Sequence, residues 1–219
     1  MMKVMKEYAK PNFNFEKRHS EQYKFIAGVD EVGRGALAGP IVAAAVVFDR
    51  YDKIITALNG VNDSKILSAL KRLEMDELIK SKARDFSIGI VTPEEIDKYG
   101  IGAANVMAFE RALKGINECN FALIDGRKFR GLGFQYLCLE KGESKSLSIA
   151  AASIIAKVYR DALMQEIHDE VFRYDFASNK GYGSSQHLLA LNKYGPCHHH
   201  RKSFLIKMNN SQNQTSLFA

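Results

Sequence analysis

Cysteine is scarce, and none of it is paired: Cys119, Cys138 and Cys197 stand in unrelated contexts with no CxxC among them. An odd, sparse count argues against a disulfide framework and suits a reducing compartment. Long apolar runs are missing, so nothing approaches the ~20 residues of a membrane-spanning helix. The N-terminus, MMKVMKEYAKPNFNFEKRH, also lacks the apolar stretch of a secretory signal. The expectation is a cytoplasmic protein, monomeric and without a membrane partner. No internal repeat is visible. Zinc-ligand spacing is absent too: the run Cys197-His198-His199-His200 stacks four donors on adjacent residues, which cannot easily point at one ion.

What is present fits one globular unit. The chain has 219 residues, 46% of them hydrophobic, enough for a substantial core. A net charge of +6 favours a polyanionic partner, although charge alone does not identify one. The organisation expected is an N-terminal extension over 1–22, a folded domain over 23–205, and a polar, disordered tail over 206–219. Strand patterns occupy 24–30, 41–48, 85–91, 121–125 and 134–140. Helical spacing occupies 65–82 (through Leu67, Leu70, Leu73, Leu78 and Ile79), 103–118 and 147–171. The first two strands are joined by a short turn and the later ones by helices. The fold class is therefore α/β, with a mixed sheet of about five strands flanked by helices.

The densest chemistry lies in residues 24–35, KFIAGVDEVGRG, where an apolar run delivers Asp30 and Glu31 into a turn built on Gly33, Arg34 and Gly35. Adjacent like charges at the edge of a core repel each other and are costly to desolvate, so a cation is the natural third party. Oxygen ligands suit Mg²⁺ or Mn²⁺, and the glycines with Arg34 suit a phosphodiester. The same turn satisfies the permissive G-x-G-x-x-A dinucleotide form, but that form needs a helix to start there. Gly39-Pro40 stops one, and IVAAAVVF (41–48) reads as a second strand. Asp125 ends another short apolar run, FALID, and would join the first two acids if the two strands are neighbours. Further acids stand at Glu143, in KGESKS, and at Asp161, after SIAAASIIAKVYR. The alanine-serine face of that helix lets it lie close to a sheet, while Lys157, Arg160 and Asp161 read as a less apolar, surface-pairing face.

Taken together, DEVGRGALAGP (30–40), DSK (63–65), LIDG (123–126), KGESKS with IAAASIIAKVYRD (141–161), NKGYG (179–183) and HRKSF (200–204) resemble bacterial ribonuclease HII over roughly residues 24–205. The resemblance implies an RNase H-like fold with a small C-terminal helical extension. It also implies cleavage of RNA in RNA–DNA hybrids and at ribonucleotides embedded in duplex DNA, by two-metal hydrolysis leaving 5′-phosphate and 3′-hydroxyl ends. The metal-binding, catalytic carboxylates fall on Asp30, Glu31, Asp125 and Glu143. The last stands where the family usually has an aspartate, with Asp161 as the next choice for that role. The GRG turn (Gly33, Arg34, Gly35) and Tyr182 fall where the family reads the 2′-hydroxyl. Lys65, Lys145, Lys180, His187, His200 and Arg201 are candidate phosphate contacts, and His200 is equally a packing candidate. Gln214-Thr215-Ser216-Leu217-Phe218 resembles the Q-x-x-L-F peptide that docks on the bacterial sliding clamp.

Overall fold

The computed structural model describes residues 10–61, 64 and 67–206. In chain order, α1 (Asn14–His19), β1 (Ile26–Val32) and β2 (Ile41–Val47) are followed by α2 (Tyr51–Ile54), α3 (Ala69–Lys82) and β3 (Asp85–Val91). Next come α4 (Pro93–Lys114), β4 (Phe121–Asp125), β5 (Tyr136–Leu139), the long α5 (Leu147–Glu170), α6 (Phe176–Asn179) and α7 (Ser185–Tyr194). The strands form one sheet in the order β3-β2-β1-β4-β5. β2 is antiparallel to both β1 and β3, whereas β4 is parallel to β1 and to β5.

Every residue of β2, IVAAAVV, is buried, as a strand covered on both faces requires. Its alternate residues divide between the two faces. Ile41, Ala43, Ala45 and Val47 join Ala104, Ala108 and Ala112 of α4, while Val42, Ala44 and Val46 join α5 and Met75 and Ile79 of α3. Each fully buried valine or isoleucine side chain contributes roughly 1.5–3 kcal/mol to this three-layer core.

The helix α5 approaches β1 to backbone contact: a Cβ on Gly28 would lie 2.1 Å from the carbonyl carbon of Ser148. Only the small residues Ala150, Ala151, Ala152 and Ser153 along that helix permit such closeness. Its first turn is held by Ser146, whose hydroxyl accepts from Ile149 N–H, and by the buried Glu16 of α1. Glu16 Oε1 accepts from Ser146 Oγ at 2.6 Å and from both the N–H and the hydroxyl of Ser148. Burial pushes the Glu16 carboxyl above its ordinary range, against those hydrogen bonds. Residues of the expected N-terminal extension thus pack into the same body.

Two helices depart from their expected bounds. α4 begins ten residues before the anticipated 103, because Thr92 and Glu95 form a capping box with Pro93 in the first turn, and its path bends at Gly100 (φ 79°). α3 starts at Ala69 behind the cap Ser68, and it buries Met75, Asp76 and Ile79. Leu70 and Leu73 of the anticipated apolar stripe are instead 69% and 52% exposed.

Candidate active site

β1 and β4 are paired in register from Ile26 with Phe121 to Val29 with Ile124, so the next step along both strands sets Asp30 beside Asp125. Side chains alternate across a strand. Asp30 faces α5, where the Ser153 hydroxyl bonds its carboxylate, and Glu31 faces α4, where the Asn105 amide does the same. Glu31 N–H donates to Asp30 Oδ1 at 2.7 Å, and Gly142 N–H donates to Asp125 Oδ1 at 2.6 Å. Gly142 opens the short 3₁₀ turn Gly142–Ser144. Glu143 follows Gly142 in that turn, one residue from the bond to Asp125.

Charge is expensive here. Asp30 is only 7% exposed, and its carboxyl is pushed far above the usual range by burial first, then by Glu31 and Asp125. Glu31 is pushed up to about 7, with burial raising it, Arg34 opposing and Asp125 adding. A divalent cation among the acids would relieve both penalties, and an all-carboxylate donor set suits Mg²⁺ or Mn²⁺. Beside the acids lies a cleft of about 440 Å³ whose lining includes Glu31, Arg34, Asn105, Asp125, Arg127 and Lys128.

The glycine turn is held from behind by two buried arginines. Gly33 has φ +89°, and a Cβ there would sit 2.1 Å from Arg160 Nε, so glycine is required twice over. Arg201 donates from Nη2 to Gly33 O (2.7 Å) and Gly39 O (2.8 Å), from Nε to Gly39 O (3.0 Å) and from Nη1 to Arg34 O (3.0 Å). Arg160 donates to the carbonyls of Pro40, Lys180 and Ala38 at 2.9, 2.9 and 3.3 Å. The Gly181 carbonyl in turn accepts from Leu37 and Ala38 N–H at 2.8 and 3.2 Å. Through these bonds the Gly33–Gly35 turn and Tyr182 form one supported unit. The Tyr182 ring is 38% exposed and lies 5.4 Å from the Arg160 guanidinium.

The sequence candidates separate accordingly. Asp30, Glu31, Asp125, Gly33, Arg34 and Gly35 gather at the ends of β1 and β4, with Glu143 in the 3₁₀ turn bonded to Asp125 and Tyr182 joined through the glycine turn. Lys145 is exposed. Lys180 is partly buried, lies beside Asp161, and has its ammonium lowered mainly by that burial. Asp161 pairs with Lys157 at 2.6 Å. Arg160, expected on the same surface-pairing face, is instead wholly buried. Arg201 and His200 also correct the phosphate-contact expectation. Arg201 is fully buried and saturated by carbonyls, and burial and the neighbouring Arg160 push it down to about 9. His200 is 2% exposed and is pushed down to about 4, chiefly by burial.

His187 lies with His200 inside the C-terminal helical part, and their Nε2 atoms are 3.1 Å apart. Cys197 N–H donates to His200 Nδ1 and His187 Nδ1 reaches the Tyr182 carbonyl, which together fix both rings as neutral. Lys65 and the segment Gln214–Phe218 lie outside the described residues.

Asn105, Ser153, Arg127 and Lys128 were not singled out by the sequence. Only the last two had a visible signal, two cations directly after Asp125-Gly126.

Comparison with known proteins agrees with this arrangement. The Ribonuclease HII family model matches residues 27–207. Ribonuclease HII of Clostridium botulinum (strain Loch Maree / Type A3) is 46% identical over 197 residues, 90% of this chain and 73% of that one. The enzyme of the same name from Wolbachia sp. subsp. Brugia malayi is 45% identical, covering 93% of this chain and 98% of its own. The RNase HII of Archaeoglobus fulgidus, solved in a complex with PCNA, aligns with a TM-score of 0.67 at 25% identity, over 81% of this chain and 94% of that one. Alike in sequence, in overall fold and in the span matched, the chain belongs to the ribonuclease HII family of endoribonucleases.

Proposed function

We propose that the protein hydrolyses the RNA strand of RNA–DNA hybrids and cuts on the 5′ side of ribonucleotides embedded in duplex DNA, leaving 5′-phosphate and 3′-hydroxyl ends. The observation that carries this reading is the meeting of Asp30, Glu31 and Asp125 beside the Gly33–Gly35 turn, with Tyr182 bonded into the same unit. A paired divalent site, Mg²⁺ or Mn²⁺, would be held by Asp30 as the shared ligand, with Glu31, Asp125 and Glu143 on its flanks. Such ions, when bound, supply an activated water and neutralise charge on the departing oxygen.

The protein's own groups do the rest. Ser153 and Asn105 fix the rotamers of Asp30 and Glu31 from opposite sides of the sheet, and the Gly142 N–H fixes Asp125. Arg127 and Lys128 flank the cleft and would draw in the phosphate backbone. Backbone at Gly33 and Gly35 can approach a ribose because no Cβ intervenes, and the half-exposed Tyr182 offers a ring and a hydroxyl to the sugar. Three free cysteines suit the reducing cytoplasm. The tail peptide Gln214–Phe218 is proposed as a clamp-docking tether, a reading supported by the archaeal relative captured with PCNA.

The deciding assay compares an all-DNA duplex with the same duplex carrying one ribonucleotide, with Mg²⁺ or Mn²⁺ added. Metal-dependent incision only of the second, on the 5′ side of the ribose, is expected. Equal cutting of both would overturn the proposal in favour of a general RNase H-like nuclease, and binding without incision would mark a non-catalytic nucleic-acid module.

A further inference from the structure

The tandem histidines after Cys197 do not converge as a group of four, but two of them converge on a residue distant in sequence. Glu170, the last residue of α5, lies under His198 and His199: His198 Nε2 is 3.1 Å from Oε1 and His199 Nε2 is 3.1 Å from Oε2. Among the described residues this is the trio of His, Cys, Asp and Glu donors whose ligand atoms all fall within 4.8 Å of one another. We propose that Glu170, His198 and His199 form a second metal site, distinct from the acid cluster and selective for an imidazole-binding first-row ion, Zn²⁺ in the first instance.

Donors around a tetrahedral zinc with bonds of about 2.0–2.1 Å stand about 3.3 Å apart; each N···O separation is close to that value, and because the two imidazoles meet different oxygens, an ion is reached by using both carboxylate oxygens or by a small rotation of the carboxylate. Two imidazoles and one carboxylate favour Zn²⁺, Ni²⁺ or Cu²⁺ over Mg²⁺, which prefers all-oxygen coordination. The carboxylate sits at the C-terminal end of a 24-residue helix, where the dipole adds negative potential for a cation. The exposure of His198 (63%) and Glu170 (55%) leaves the remaining coordination position open to water or another donor.

The site is coupled to the glycine turn by backbone. The His199 carbonyl accepts from Gly39 N–H at 2.9 Å, Ala38 bridges His200, and Arg201 follows. An ion here pins the segment carrying Arg201 to the end of α5. This assignment does not depend on the nuclease reading.

Zinc binding is measured by competition with a chromogenic chelator, using the full chain with Mg²⁺ in excess, alongside Asp30→Asn to weaken the acid cluster. About one zinc per chain is expected in both proteins. His198→Ala/His199→Ala, and separately Glu170→Gln, should weaken it by about tenfold or more, since even outer partners of a metal are worth that much. Co²⁺ should give tetrahedral visible absorption in the wild type and lose it in the double variant, while far-ultraviolet circular dichroism stays native. The proposal is overturned if the natively folded double variant binds zinc like the wild type, if Asp30→Asn abolishes the binding, or if Cys197→Ser alone does so.

Discussion

Asp30 combines burial with two anionic neighbours, so its replacement acts on function and stability in opposite directions. Asp30→Asn should reduce cleavage by about 10³-fold, since removing a ligand that helps stabilise transition-state charge costs several kcal/mol. Substrate affinity measured in Ca²⁺ should persist, and the metal-free protein should melt higher, because a costly carboxylate has gone. Glu31 permits a sharper test. With its carboxyl raised from 4.5 to about 7 in the folded state, the folded protein binds the extra proton, and stability falls as pH rises through that window. His200 does the reverse: lowered from 6.5 to about 4, it adds stability as pH rises from about 4 to 6.5. Each contribution is on the order of 3 kcal/mol, and the two have opposite signs. Denaturant titrations of Glu31→Gln should therefore show stability climbing more steeply between pH 4.5 and 6.5 than in the wild type; parallel profiles would reject the Glu31 assignment. Tyr182→Ala should slow incision at a lone ribonucleotide by about tenfold or more, while unfolding free energy changes by no more than about 1 kcal/mol for so exposed a ring. Loss of folding without a specific loss of incision would make it an anchor only.

At the scale of elements, the contact of α5 on β1 governs the site. Gly28→Ala forces a methyl to within 2.1 Å of the Ser148 backbone, and a helix cannot yield there without carrying Ser153 away from Asp30. A loss of about 3 kcal/mol in urea unfolding is expected, with a parallel fall in turnover. Element existence was legible because the patterns are pure: β2 is apolar throughout, and β3 and β4 begin and end where their polar borders lie. The start of α4 was missed because its signal is a cap, Thr92-Pro93-Glu94-Glu95, and not an apolar period. The α3 stripe misled because Leu70 and Leu73 repeat at helical spacing on a face the fold leaves in water. The acids could be found one by one, because Asp30, Glu31 and Asp125 each close or nearly close a short apolar run. Arg160 and Arg201 could not, since an arginine that serves backbone carbonyls in the interior has the same letter as one on the surface.

At the scale of the molecule, the net charge of +6 and the cations beside the cleft suit a long polyanion, and the tail is proposed to supply a second, separable contact. Deleting residues 211–219 should leave incision of a short duplex unchanged and abolish measurable affinity for the sliding clamp in surface-binding assays; intact affinity would end the docking proposal. No helix among the described residues is long and apolar enough to cross a membrane. The parallel neighbours β1 and β4 lie far apart in synthesis, with Phe121 opening the later strand. Until that strand has left the ribosome and slid in beside the earlier one, Asp30 and Glu31 are two ordinary hydrated acids. A polypeptide that ends before Phe121 therefore lacks the third acid of the cluster altogether.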